Sequence, residues 1–115
     1  MRNLFLIILL LLTTQLSAQS FYEELNSIRK EQGINSVKKD IFLQIGCKRW
    51  AKKCVNQYNA HVMHDRSAGK EVIAYNGNPI EFWMNSPSHR RLILHKRIKK
   101  VGFAQYEGYS VARFK

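Results

Sequence analysis

Acidic side chains are scarce in this sequence: eight Asp and Glu stand against 19 Lys and Arg, a formal charge of +11 over 115 residues. Such an excess points to anionic partners, whether nucleic acid, lipid headgroups or acidic glycans. Proline and glycine are also few, at two and six, and no tract is compositionally biased, which argues against a disordered chain or a fibrous repeat. The longest unbroken apolar run, Leu4 to Leu12, is half of what a membrane-spanning helix needs. No H-E-x-x-H zinc motif occurs. No Asp placed to orient a base accompanies Ser86, Ser88 and His89, so a serine hydrolase is not supported. Only two cysteines are available to staple the chain. Cys47 and Cys54 lie two turns apart, which on a continuous helix separates them by about 10 Å, beyond disulfide reach. Two small buried residues on one helical face are the expectation, with intermolecular pairing or an unwound helix as the alternatives.

What is present organises into a leader and one domain. Arg2, the short apolar run and the stretch ending Leu16-Ser17-Ala18 have the form of a secretory signal peptide, with cleavage expected after Ala18. The domain is then 19–115, still carrying +10 once Arg2 is gone, with no transmembrane span expected after cleavage. Its destination would be periplasmic or extracellular. A 45 % hydrophobic content is enough for one small core and not for two.

Along that domain, Ser20-x-x-Glu23 has the capping-box form, followed by Phe21, Leu25 and Ile28 at helical spacing up to Gly33. Asp40 can cap a longer helix whose apolar stripe is Leu43, Cys47, Trp50, Ala51, Cys54 and Tyr58. Lys48, Arg49, Lys52 and Lys53 lie opposite. Gly46 falls within the stripe, either to allow close packing by a neighbouring element or as a helix cost of about 1 kcal/mol tolerated elsewhere. Glu71 to Tyr75 reads as a short strand closed by Asn76-Gly77. Asn78-Pro79 and Ser86-Pro87 open two short helices, each with a cap and a proline in the first turn. From Lys100 the period becomes two, and Glu107-Gly108 folds the chain into a hairpin. This order argues for an α+β domain with helices packed around a small, mostly antiparallel sheet.

Among groups that could carry chemistry, His64, Glu71 and His89 sit in irregular or helix-start positions, where segments converge. Two imidazoles and a carboxylate are an acceptable zinc set with an open fourth position. His61 and His95 are plainer: His61, one turn short of His64, reads as a solvated helix end or as half of a local His pair. The basic run Arg90, Arg91, Lys96, Arg97, Lys99, Lys100 lacks interleaved aromatics, so nucleic acid is not the expected partner. Lipid or acidic envelope glycan suits it better. Trp83 with its neighbours Phe82 and Met84 reads as core.

The segment Trp83-Met84-Asn85-Ser86-Pro87-Ser88-His89-Arg90-Arg91-Leu92-Ile93-Leu94 resembles the CAP superfamily, the cysteine-rich secretory, antigen 5 and pathogenesis-related proteins, in its compact bacterial SCP-like form. Leu25-Asn26-Ser27-Ile28-Arg29, the Leu43/Cys47/Ala51 stripe, Met63-His64 and Glu71-Val72-Ile73-Ala74 follow the same family order. The resemblance covers about Phe21 to Phe114. It implies an α-β-α sandwich with a cleft lined by His64, Glu71 and His89, a site able to take a divalent metal, zinc above all. Ser86 stands where animal and plant members place a second cleft Glu, Lys70 and Val72 interrupt the G-E-N-I motif, and Ser88 replaces the Gly of S-P-G-H. What the resemblance implies for function is a secreted, non-enzymatic binding domain. The alternatives are a zinc-dependent, peptidase-like hydrolase on the same cleft, with Glu71 as third ligand or general base, and a cationic protein acting on envelopes by charge alone.

Overall fold

The computed structural model describes residue 3 and residues 19–56 and 64–115. The leader expected at 1–18, apart from residue 3, and Tyr58, His61 and Met63 lie outside the described residues.

Helix α1 (19–31) buries Phe21 and Leu25 of the expected stripe, with Ile28 partly buried, and adds Tyr22 and the charged Arg29 to the buried set. It stops at Gly33, whose φ of 70° allows Gly33 N–H to reach the Lys30 carbonyl and Ile34 N–H the Arg29 carbonyl, the paired bonds of a Schellman motif. Its start differs from expectation. Ser20 is already helical and does not act as the cap, and Glu23 is met by the Gln19 side chain one turn earlier.

A two-residue strand β1 (Lys38–Lys39) leads to Asp40, whose carboxylate accepts the Leu43 N–H at 2.9 Å and so caps α2 (Ile41–Asn56) as expected. Cys47, Ala51 and Cys54 form the buried stripe of α2, and both thiols are free. Burial pushes the Cys47 thiol up to about 12 and the Cys54 thiol upward. Next come β2 (Lys70–Tyr75), α3 (Pro79–Met84), α4 (Pro87–Ile93), β3 (Lys100–Tyr106) and β4 (Tyr109–Phe114). The Asn78 side chain accepts the Glu81 N–H and caps α3. Ser86 stands at the cap position of α4 but makes no capping bond, because its hydroxyl is turned to His89.

The sheet runs β1-β3-β4-β2, antiparallel except for the short parallel β1–β3 pairing. Glu107 and Gly108 both have positive φ, as a two-residue hairpin turn demands, and they fix the β3–β4 register with Tyr106 opposite Tyr109. Alternation along the strands divides the core. Val72, Ala74, Val101, Phe103, Ala112 and Phe114 face α1, α3 and α4, around Trp83, whose indole N–H donates to the Ile73 carbonyl at 3.1 Å. Ala104 and Val111 face the other way, onto Cys47 and Ala51 of α2. Both faces are covered, giving the α-β-α sandwich. At Gly102 the α2 backbone lies directly against β3, so that a Cβ there would collide with Gln44 N and the Leu43 backbone. No described helix is long and apolar enough to cross a membrane.

Candidate functional site

The β2–β4 register sets Glu71 opposite Arg113 on the face that carries α2. The Glu71 side chain is 1 % exposed, and Arg113 Nε donates to its Oε2 at 2.7 Å. A buried carboxylate needs such a counter-charge to stay ionised. Gly46 makes room for it, since a Cβ there would stand 2.7 Å from Arg113 Nη1. The small residue in the α2 stripe thus admits a guanidinium.

The second oxygen of Glu71 turns toward the loop before β2. Oε1 accepts the Asp65 backbone N–H at 3.1 Å and lies 3.1 Å from His64 Nδ1. An ionised carboxylate can only accept, so it fixes the imidazole proton on Nδ1 and leaves the Nε2 lone pair available on a ring that is 55 % exposed. Arg113 also holds the loop itself, donating from Nη2 to Asp65 Oδ2 at 3.0 Å, while the Ser67 hydroxyl and N–H donate to Asp65 Oδ1. The Ser67 bonds and the Arg113 charge depress the Asp65 carboxyl below its ordinary value.

His89 enters from α4, which packs beside β2, the terminal strand of the sheet order. It is half-buried, its Nδ1 lies 2.8 Å from Ser86 Oγ, and its ring centroid is 5.8 Å from that of Phe82. Burial, followed by the charge of His64, lowers its pKa.

The structure therefore brings His64 and Glu71 into contact, while His89 stands on α4 with its Nδ1 beside Ser86 Oγ. Among the described residues, no three His, Cys, Asp or Glu side chains are grouped as a metal-binding set. Both oxygens of Glu71 are engaged, Oε2 by Arg113 and Oε1 by the Asp65 N–H and His64. Ser86, in the place of a second cleft carboxylate, bonds His89 and adds no charge.

Arg113 and Asp65 were not among the residues singled out from sequence. The available signals were an Arg in the last strand and an Asp beside His64, but the pairing of β2 with β4 is needed to join them. The expected basic run Arg90 to Lys100 is exposed at each of its six Lys and Arg residues. Arg90 and Arg91, with Met84, Pro87 and Leu94, line an open depression of about 460 Å³ beside α4.

Residues 22–113 match the CAP family model, the cysteine-rich secretory protein family. No curated protein sequence matches the chain. Among solved structures, an outer surface protein of Borrelia burgdorferi is 20 % identical with a TM-score of 0.67, over 84 % of this chain and 89 % of its own. A cysteine-rich secretory protein of Staphylococcus aureus aligns at 20 % identity and a TM-score of 0.73, over 88 % of this chain but 38 % of its own. An extracellular SCP-domain protein of Bacillus anthracis gives 20 % and 0.66, over 84 % of this chain and 39 % of its own.

Proposed function

The chain belongs to the CAP family of cysteine-rich secretory proteins, and from that premise we propose that it is an exported, non-enzymatic binding domain acting at or outside the cell envelope, with a cleft that holds a divalent metal ion. The observation that carries this reading is the chain of contacts from Arg113 through Glu71 to His64. It spends a buried ion pair on holding one half-exposed imidazole in one tautomer, and the second imidazole, His89, is disfavoured in its charged form by burial. His64 and His89 are the ligands, Glu71 is the positioning residue and zinc is the best match to two imidazole donors. When bound, the ion supplies a positive centre for an anionic group. Export is supported by the form of residues 1–18 and by the extracellular or surface setting of the structural relatives.

The hydrolase alternative is less well supported. A general base needs an oxygen free to take a proton from water, and Glu71 is buried with both oxygens in hydrogen bonds. Envelope attraction by the exposed run Arg90 to Lys100 accompanies the cleft in this reading, with lipid headgroups or acidic glycans as its partners.

Zinc titration calorimetry at neutral pH tests the reading on wild type and a folded His64→Ala/His89→Ala variant. Stoichiometric binding that disappears in the variant is expected. A wild type that takes no zinc would refute the metal-holding cleft.

A further inference from the structure

Helix α2 turns Cys47, Ala51 and Cys54 to the sheet, and its opposite face is divided along the helix axis. The N-terminal half presents Ile41, Phe42 and Ile45, which are 62 %, 81 % and 48 % exposed. These are three of the five large hydrophobic side chains exposed among the described residues, and they lie side by side on one helical turn. The C-terminal half presents Lys48, Arg49, Lys52 and Lys53, all exposed. Lys38 and Lys39 of β1 are exposed just before the apolar turn. No Asp or Glu occurs anywhere from Ile41 to Asn56.

We infer that this outer face of α2 docks on an anionic lipid bilayer, with Ile41, Phe42 and Ile45 entering the interface and the flanking Lys and Arg meeting the headgroups. Apolar side chains that enter the interface and cations that attract anionic headgroups are the two contributions that add up in interfacial membrane binding. A second copy of the chain would bring like charges together on either side of the wedge, and an aqueous anionic polymer would leave Phe42 in water. The bilayer is the occupant that satisfies both halves. Several of the cations also rest on rings, Lys48 and Lys52 over Tyr106 at 5.1 and 5.5 Å and Lys39 over Tyr22 at 5.5 Å. Such contacts position the ammonium groups without neutralising them. The surface does not use His64 or His89, so it and the metal cleft can fail separately.

The test uses protein recovered after export from cells carrying the full sequence, with wild type and variants compared in the same processed form, as fixed by mass spectrometry. Vesicles rich in phosphatidylglycerol should retain the wild type at low salt, and pure phosphatidylcholine vesicles should retain it much less. Phe42→Ser should weaken retention about tenfold or more with an unchanged melting curve, since the ring makes little contact with the fold. Independently, Phe42→Trp should show a blue-shifted emission on phosphatidylglycerol vesicles. Equal retention of Phe42→Ser, or an emission from Phe42→Trp that does not move on vesicles that bind, would overturn the inference. An emission that shifts with protein concentration without lipid would assign the face to a second copy and overturn it as well.

Discussion

Replacing Arg113 by Met removes the counter-charge of Glu71 while filling most of its volume, and the structure allows the consequence to be sized. The two side chains are 12 % and 1 % exposed, so water cannot take the place of the guanidinium. Glu71 would retain only the Asp65 N–H and His64. Stranding a buried charge in this way costs about 3–5 kcal/mol. A domain of this size has about 5–15 kcal/mol of stability in all, and each kcal/mol moves its melting point by about 4–8 °C. Arg113→Met should therefore melt about 12–40 °C lower. Glu71→Gln in the same background removes the stranded charge, so the double variant should be more stable than Arg113→Met alone. Urea unfolding of wild type, both single variants and the double variant at neutral pH measures the coupling. An Arg113→Met loss under about 1 kcal/mol, or strictly additive single effects, would refute the account of a buried pair.

Three further outcomes follow from the same geometry. His89, depressed by burial and by His64, contributes stability that is fully present above its ordinary value of 6.5 and is lost as the pH falls through its lower folded value. Its NMR titration should accordingly move upward in His64→Gln, and an unmoved midpoint would mean that the rings do not face one cleft. Asp65, also depressed, contributes stability above its ordinary 3.8 that is lost at more acid pH. Asp65→Asn should flatten the acid limb of the stability curve, and an unchanged limb would count against its bonds to Ser67 and Arg113. Gly102→Ala should destabilise by about 3 kcal/mol or more through collision with the α2 backbone, as judged by thermal melts; a neutral effect would contradict the close approach of α2 and β3.

Where the fold was legible in the sequence, the signal was local. The Asp40 and Asn78 caps and the Glu107-Gly108 hairpin each depend on residues within a few positions of one another and form as read, and the α2 stripe forms at Cys47, Ala51 and Cys54, with Leu43 and Trp50 partly buried and Tyr58 outside the described residues. Two serine caps did not form. Ser20 is overtaken by a helix already under way at Gln19, and Ser86 has a stronger neighbour in His89, to which a hydroxyl bonds in preference to a first-turn N–H. Residues on separate segments were legible only as types. His64, Glu71 and His89 could be named as candidates, but the ion pair that holds the Glu71 carboxylate could not be read. It depends on Arg113, 42 residues from Glu71, arriving on the right face of the sheet. A shift of one residue in the β2–β4 register would turn that side chain to the opposite face, and nothing in local spacing fixes the register. Gly46 carried part of the answer, as a gap whose occupant was unknown until Arg113 filled it.

The central claim is that His64 and His89 present one paired donor site, with Glu71 fixing the tautomer of the first. Long-range nitrogen-detected NMR of the imidazole rings, recorded while zinc is added at neutral pH, tests it most directly. The account predicts that free His64 carries its proton on Nδ1, and that both rings then shift together in a single stoichiometric step. A free His64 protonated on Nε2, or zinc that moves one ring and leaves the other unchanged, would contradict it.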